Sequence, residues 1–397
     1  MNKSINNSNQ IKVLEVLGGG ESIGGVEKML LNYFDHMDTS KFIIDFCFVR
    51  KSTFGLLKNT DREYLINGNI FELNAFKGRS NLSGYFKVML KIINVIQRNK
   101  YDIVHVNAGR PALLVVGLLA ALFCRVKIRI VHSHSMAVLS KNNIVNRLCV
   151  QYAYKILNRF FCRYSTLLFA CSKEAAQYMF GHSVFDNKKY ISINNAIDVN
   201  EYTFNQDIRI ITRSALGVSN DEIIIGHIGR FSKEKNHEYL IDIFSEIENI
   251  RKDIKLWLVG DGELKEQIQQ KVRFLGLEDK VLFLGERSDV PCLLNAMDLV
   301  IFPSIYEGLS VTLVEAQASS LPIIASSNIS EEHKMIDVFA FLDLNKGSMF
   351  WANCAISIIN RLYKRKSRYF EIQRKGYNIN IEAKKLENLF LKSVISK

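Results

Sequence analysis

Leu299–Phe302 is a run of four apolar residues that stops at Pro303, and the chain then reads SIYEGLSVTLVEAQAS over Ser304–Ser319. A short apolar run bounded by a proline is a buried strand, because proline lacks the N–H that a sheet ladder needs. The loop after it carries Glu307, Gly308, Leu309 and Ser310, and the next segment puts Leu313, Val314 and Ala318 on the apolar side of a helix. A strand, a glycine-containing loop and a helix make backbone N–H groups converge on an anion. Glu307 and Glu315, eight residues apart, bracket that point. Carboxylates accept hydrogen bonds from hydroxyls, so this pair suits a sugar and a ribose at the two ends of a diphosphate. The same residues also read as a capped helix with surface glutamates, and the rest of the chain has to discriminate.

Strands and helices alternate from the start. Ile11–Leu17 is a strand, Gly18–Gly25 a glycine-rich turn, and a helix from Glu27 to about Phe34 groups Val26, Met29, Leu30 and Tyr33. The pattern continues through strand Ile43–Val49, helix Gly84–Gln97, strand Ile103–Val106, helix Ala112–Phe123, strand Lys127–Val131, strand Leu167–Ala170 and strand Tyr190–Asn195. It restarts with strand Ile223–His227, helix His237–Glu248, strand Lys255–Val259 and strand Val281–Leu284. Such alternation is the pattern of a doubly wound parallel α/β sheet. At 397 residues the chain exceeds a single core, and the break falls at about residue 198.

Several classes drop out. Gly18, Gly20 and Gly24 are wrongly spaced for the dinucleotide fingerprint, which weakens a nicotinamide oxidoreductase. The polar opening MNKSINNSNQ does not read as a secretory signal. The most apolar run, Ala112–Phe123, has 12 residues, short of the roughly 20 that a spanning helix needs. Seven scattered cysteines without a Cys-x-x-Cys pair point to a reducing compartment and no structural zinc. The net charge of +12 is lopsided: residues 1–200 hold 26 basic against 13 acidic side chains, and residues 201–397 hold 26 against 27. The first half therefore faces something anionic.

Three further stretches carry candidate chemistry. His132-Ser-His134-Ser135 sits at the end of a buried strand, where imidazole hydrogen-bonds a hydroxyl or phosphate; two surface loop histidines are the plainer reading. Asn146–Phe169 is apolar and basic, with Arg147, Lys155, Arg159 and Arg163 on one helical face and Phe160 and Phe161 beside them. That face suits an anionic membrane surface, or a core helix with a solvated edge. After strand Ile223–His227, Arg230 and Lys235 lie on one loop, and two cations at a strand end hold a diphosphate without a metal. No Asp-x-Asp pair, the usual ion holder of metal-dependent nucleotide-sugar enzymes, occurs.

GGVEKML near the start, VHSHS, ACSKEAA, NNAID, HIGRFSKEKNHEYLI, LVGDGELK and YEGLSVTLVEAQA together resemble the retaining glycosyltransferases of family 4, especially the branch that builds bacterial exopolysaccharides and capsules. The resemblance covers most of the chain. It implies an α/β architecture of two facing Rossmann-like domains (the B-type glycosyltransferase fold): 1–198 on the acceptor side, 199–378 binding the nucleotide-sugar, and 379–397 a helix crossing back to the first domain. It implies that Arg230 and Lys235 grip the donor diphosphate, Glu307 touches the sugar hydroxyls and Glu315 the ribose. Gly308, Leu309 and Ser310 offer amides to phosphate and sugar, Gly24 and Gly25 reach over the diphosphate, and Arg287 lies near the base. His132 matches the strand-end histidine that faces the sugar, with His134 the alternative. The family usually has glycine where this chain has Ser319-Ser320.

The implied activity is metal-independent hexosyl transfer from a nucleotide-sugar, UDP by resemblance, with no further cofactor. Closing the domains would bring the sugar between His132 and Glu307. The acceptor would be a glycan or a polyprenyl-diphosphate-linked sugar, and the enzyme cytoplasmic, peripheral on the inner membrane face through its basic first half. Nucleic acid has no recognisable reading motif here. Two rivals remain: a nucleotide-sugar 2-epimerase of the same fold, which needs no acceptor, and a non-catalytic partner subunit of a transferase.

Overall fold

The computed structural model describes residues 10–19, 25–51, 67–76, 82–134, 144–219, 221–361 and 363–395, with backbone alone for 144–153. The chain divides into two compact units, Met1–Ala196 with Ile379–Lys397, and Ile197–Asn378.

Among the described residues the first unit holds seven strands: β1 (Ile11–Leu17), β2 (Phe42–Phe48), β3 (Ile70–Glu72), β4 (Ile103–Ala108), β5 (Ile128–Ser133), β6 (Leu167–Ala170) and β7 (Tyr190–Ser192). All pair in parallel, in the order β3-β2-β1-β4-β5-β6-β7. Parallel strands need helical crossovers, and these bury both faces of the sheet. Leu14, Val16, Val104 and Val106 face one core with Val88, Ile92, Leu114 and Leu118 from the helices Leu82–Asn99 and Pro111–Phe123. A Cβ on Gly117 would lie 2.7 Å from a Val106 methyl carbon, so glycine lets the apolar helix sit close on the sheet. This is where the Ala112–Phe123 run goes. Among the described residues no helix is long and apolar enough to cross a membrane.

Val13, Leu17, Ile103 and Ile130 face the opposite core, covered by the helices Gly25–Asp35 and Ile379–Ile395. The last helix thus returns to the first unit, burying Ile379, Ala383, Leu386 and Phe390. Lys41 Nζ meets Glu387 at 2.7 Å, and the Asp38 amide donates to the same carboxylate at 3.1 Å.

The second unit holds β8 (Ile223–Ile228), β9 (Ile254–Val259), β10 (Val281–Gly285), β11 (Leu299–Phe302), β12 (Ile323–Ser326) and β13 (Phe339–Leu342). They too are parallel, in the order β10-β9-β8-β11-β12-β13. Both sheets are open, doubly wound and Rossmann-like. In each, the strand order reverses once, between β1 and β4 and between β8 and β11. Crossovers leave opposite sides at such a point and open a crevice at the strand ends.

The structure differs from the sequence reading in instructive places. The sequence reading did not mark the edge strand β3, nor β12, β13 and the helix Ser348–Asn360. Strands β4 and β5 run two residues further than the apolar pattern, to Ala108 and Ser133. His105, Asn107 and His132 therefore lie inside the sheet, not in a surface loop, because they bond one another. The helix expected within Asn146–Phe169 spans Ile144–Tyr164, with Lys155, Arg159 and Arg163 exposed and Phe161 in the core. The Arg147 side chain lies outside the described residues.

Phe390 is fully buried, so Phe390→Ala is expected to destabilise the first unit by about 3–5 kcal/mol. Leu82→Ala, at an 88% exposed position, is expected to stay within about 0.5 kcal/mol. Urea unfolding of both variants checks this; equal midpoints would show that the returning helix does not hold the unit together.

Candidate functional site

In the second unit the β8/β11 crevice is lined by the loop Gly229–Asn236 after β8 and the loop Pro303–Ser310 after β11. One backbone and one side-chain bond hold the two together: the Ile305 N–H donates to the Glu234 carbonyl at 2.8 Å, and Asn236 Nδ2 to the Pro303 carbonyl at 3.1 Å. From the other side, Gly229 N–H donates to Val259 O and Phe231 N–H to Asp261 O, both at 2.9 Å. Gly260, at φ +133°, permits this approach, since a Cβ there would fall 2.2 Å from the Gly229 carbonyl oxygen.

This frame brings Lys235 and Glu307 together. Lys235 Nζ donates to Glu307 Oε1 at 2.6 Å, and Ser304 Oγ donates to the same oxygen at 2.8 Å. Both charged side chains are largely buried, and the ammonium also lies 4.9 Å from the centroid of the Phe302 ring. Glu307 Oε2 has no hydrogen-bond partner among the described residues. Arg230 is different. It is exposed and only meets exposed Glu263 at 3.1 Å, a pairing worth about 0–1 kcal/mol that an incoming anion readily displaces.

Beneath this loop lies His227, fully buried on β8. Its Nδ1–H donates to the Ile301 carbonyl at 2.9 Å, and its ring packs on Phe302 and His237. Burial first, and then the Lys235 charge, push its pKa down to about 4, against the Ile301 bond, so the ring is neutral. His237 is driven down in the same way.

The helix Val311–Ala318 is braced from behind. Buried His333 donates from Nδ1 to the Ser330 carbonyl and accepts the Ser310 N–H on Nε2, both at 2.9 Å. Gln317, also buried, donates to the carbonyls of Leu313 and His333 and accepts from the amides of Met335 and Ile336. The Ser310 amide expected to face a phosphate is therefore engaged by His333. Glu315 accepts the Tyr202 hydroxyl at 2.9 Å. Ser320 stands at φ +56°, a backbone that glycine adopts more readily, and its Oγ is held by Tyr363 and Arg368.

In the first unit the β1/β4 crevice holds a buried polar group. Glu15 accepts from His105 Nδ1 at 3.0 Å and from Asn107 Nδ2 at 2.7 Å. His105 Nε2 lies 3.2 Å from His132 Nδ1, and His134 Nε2 lies 3.0 Å from Asn107 Oδ1. His132 is completely buried, whereas His134 is partly exposed, their ring centroids 3.9 Å apart.

Of the residues singled out from sequence, Lys235 and Glu307 meet directly, and Arg230, Gly308, Leu309, Ser310 and Glu315 lie on the loops and helix around them. Arg287 follows β10, at the sheet edge beyond β9, and pairs with Asp289 at 2.6 Å. Gly25 is the exposed first residue of its helix, and a Cβ there would touch nothing within 4 Å. Gly24 lies outside the described residues. The sequence reading passed over Glu15, His227, Ser304, Gln317 and His333. Gln317 carried a signal: a glutamine three and four residues from Val314 and Leu313, on the apolar side of a helix, needs buried partners.

Comparison with known proteins is consistent across both halves. The family model for Glycosyltransferase Family 4 matches residues 23–201, and that for Glycosyl transferases group 1 matches residues 209–337. EpsF of Bacillus subtilis (strain 168), which carries the name of a glycosyltransferase, is 32% identical over 328 residues, 82% of each chain. The UDP-Gal:alpha-D-GlcNAc-diphosphoundecaprenol alpha-1,3-galactosyltransferase of Escherichia coli is 24% identical over 388 residues, 94% of this chain and 95% of that one. Among solved structures, Anabaena HepE in complex with UDP-glucose superposes with a TM-score of 0.68 at 22% identity, covering 98% of this chain and all of that one. That likeness carries the B-type glycosyltransferase fold.

The neutral state of His227 has a pH consequence. The unfolded chain takes up this proton near 6.5 and the folded chain only near 4. Its contribution is complete above pH 6.5 and declines as pH falls toward 4, by about 3 kcal/mol for this one group. In urea unfolding at pH 7 and pH 4, His227→Phe is expected to flatten the decline by that amount. An unchanged slope would mean that His227 titrates freely in the folded unit.

Proposed function

The chain belongs to the family 4 glycosyltransferases, and we propose that it is a retaining enzyme, moving a hexose from a UDP-sugar to a lipid-linked glycan acceptor in bacterial polysaccharide synthesis. The observation that carries this reading is the Lys235–Glu307 pair at the β8/β11 crevice. A cation and a hydroxyl-accepting carboxylate 2.6 Å apart match a ligand that has a phosphate next to a sugar ring. The UDP assignment is supported by the E. coli relative, whose name specifies UDP-Gal, and by the UDP-glucose held in the HepE structure.

In the proposed reaction the acceptor hydroxyl oxygen attacks the anomeric carbon. The bond from that carbon to the diphosphate oxygen breaks, and the nucleoside diphosphate leaves with the electron pair. The acceptor proton passes to the departing phosphate, on the same face, which retains configuration. Lys235 transfers its hydrogen bonds from Glu307 to the diphosphate, and Arg230 leaves its exposed pairing with Glu263 to join it. These two cations stabilise the charge developing on the leaving group, an electrostatic role that needs no metal. Glu307, held by Ser304, orients the sugar through its hydroxyls, and Glu315 accepts from the ribose.

The acceptor side is read from charge and from the E. coli relative, which by name acts on a diphosphoundecaprenol-linked sugar. Lys155, Arg159 and Arg163 stand exposed on the helix Ile144–Tyr164, with Ile156 55% exposed among them. A basic face with an apolar residue suits an anionic lipid surface and an anionic lipid-linked acceptor.

Lys235→Ala and Glu307→Ala are each expected to lower turnover at least ~100-fold while thermal unfolding stays cooperative. In wild type, UDP without metal should raise the melting temperature. Near-normal turnover of either variant, or indifference to UDP, would remove the pair from donor binding. Conversion of the donor to its 2-epimer at full rate without any acceptor would instead favour the epimerase. Separately, the protein is expected to sediment with vesicles containing anionic phospholipid and to be released by added salt. Equal binding to neutral vesicles would sink the membrane reading.

A further inference from the structure

Glu15, His105, Asn107 and His132 share one face of the first sheet. In the β1–β4 register Glu15 stands opposite His105, and in the β4–β5 register Asn107 stands opposite His132. All four are at most 1% exposed. Phe169 lies edge-on to His105 and His132, and Phe390 of the returning helix lies edge-on to His105. A dry lining of this kind strengthens each hydrogen bond and makes a missing partner expensive.

The donor and acceptor chemistry of the group permits few arrangements. An ionised carboxylate only accepts. Glu15 Oε1 therefore takes the Nδ1–H of His105, whose Nε2 lies 3.2 Å from His132 Nδ1; with His105 Nε2 as the acceptor, His132 donates from Nδ1. His132 Nε2 then carries a lone pair, and this buried atom has no partner among the described residues. On the other arm, Glu15 Oε2 takes Asn107 Nδ2–H, whose nitrogen side is also turned toward the His105 carbonyl at 3.4 Å. The amide oxygen thus faces His134 Nε2, which must donate, and this leaves His134 Nδ1 as the bare nitrogen.

We infer that Glu15 is a positioning residue that acts along two hydrogen-bonded arms, through His105 on His132 and through Asn107 on His134, so that His132 Nε2 and His134 Nδ1 are both presented as acceptors for sugar hydroxyls. The inference rests on the reading of this chain as a sugar-transferring enzyme for the identity of the ligand, and on geometry for the relay. An orphaned buried nitrogen costs about 1–3 kcal/mol, and a hydroxyl donor relieves that penalty. Burial keeps the two rings neutral: it holds His132 well below the usual imidazole range and pushes His134 down to about 3. A neutral, pre-oriented acceptor distinguishes a hydroxyl from an ether or a deoxy position, because only the hydroxyl supplies a proton to it.

The relay is tested on the full-length protein, labelled with ¹⁵N in histidine, by two-bond ¹⁵N–¹H spectra at neutral pH, without substrate. His132→Gln and His134→Gln assign the two rings. Wild type is expected to show His132 protonated on Nδ1 and His134 on Nε2. Glu15→Gln accepts on one arm but donates on the other, so at least one of the two signatures is expected to be lost while unfolding remains cooperative. Asn107→Leu cuts one arm alone: His134 loses its fixed tautomer and His132 keeps its own. This second variant also decides the matter if Glu15→Gln does not fold. His132 protonated on Nε2 in wild type, or both signatures unchanged in the folded variants, would overturn the inference. The spectra need no transfer activity, so a failed donor assay would count against the proposed function and leave the relay standing.

Discussion

A parallel sheet covered by helices on both faces has no wet side, so any polar group inside it must find a partner there or lie at the carboxyl edge. Everything functional in this chain follows from that constraint. Each sheet reverses its strand order once, and each places a group of polar side chains at that reversal: Glu15, His105 and Asn107 where β1 meets β4, and His227, Lys235 and Glu307 at or just beyond the ends of β8 and β11. Apolar residues fill the faces to nearly complete burial, which leaves the strand ends as the place where chemistry is compatible with folding.

The two polar groups solve the burial problem differently. Lys235 and Glu307 meet each other directly, and breaking a buried ion pair of this kind costs about 3–5 kcal/mol. Glu15 instead meets two side chains of β4, accepting from His105 Nδ1 and Asn107 Nδ2. Exposed Arg230 belongs to neither pattern. Its weak pairing with Glu263 leaves its guanidinium available at little cost.

Precision at the second unit's site comes from residues that touch no ligand. His333 and Gln317 pin the loop Ser330–Ile336 to the helix Val311–Ala318, and Arg365 closes the far end of that helix by donating to the Ser319 carbonyl at 2.6 and 2.9 Å. Arg365 also reaches the carbonyls of Leu294, Asn295 and Met297 and lies 4.0 Å over the Phe204 ring.

Much of this was legible in the amino-acid order. Apolar runs of four to seven residues, punctuated by glycine and proline, marked the strands at the centre of each sheet, and the amphipathic period marked the helices between them. Motif spacing brought Arg230, Lys235 and Glu307 into one candidate site because the loops that carry them follow strands, and loops after parallel strands gather at one edge. The sequence by itself therefore determined the fold class, the repeat of a strand–helix pattern and the chemical types around the β8/β11 crevice. It could not show which histidine is buried or which carboxylate answers it. Glu15 and His132 are 117 positions apart, and nothing local distinguishes a glutamate inside β1 from one on its surface. Only strand register across β1, β4 and β5, cast by the packing of two helices and Phe390 against that face, joined Glu15 to His105, Asn107, His132 and His134, because hydrogen bonding between side chains depends on distances of ångströms that chain separation does not encode.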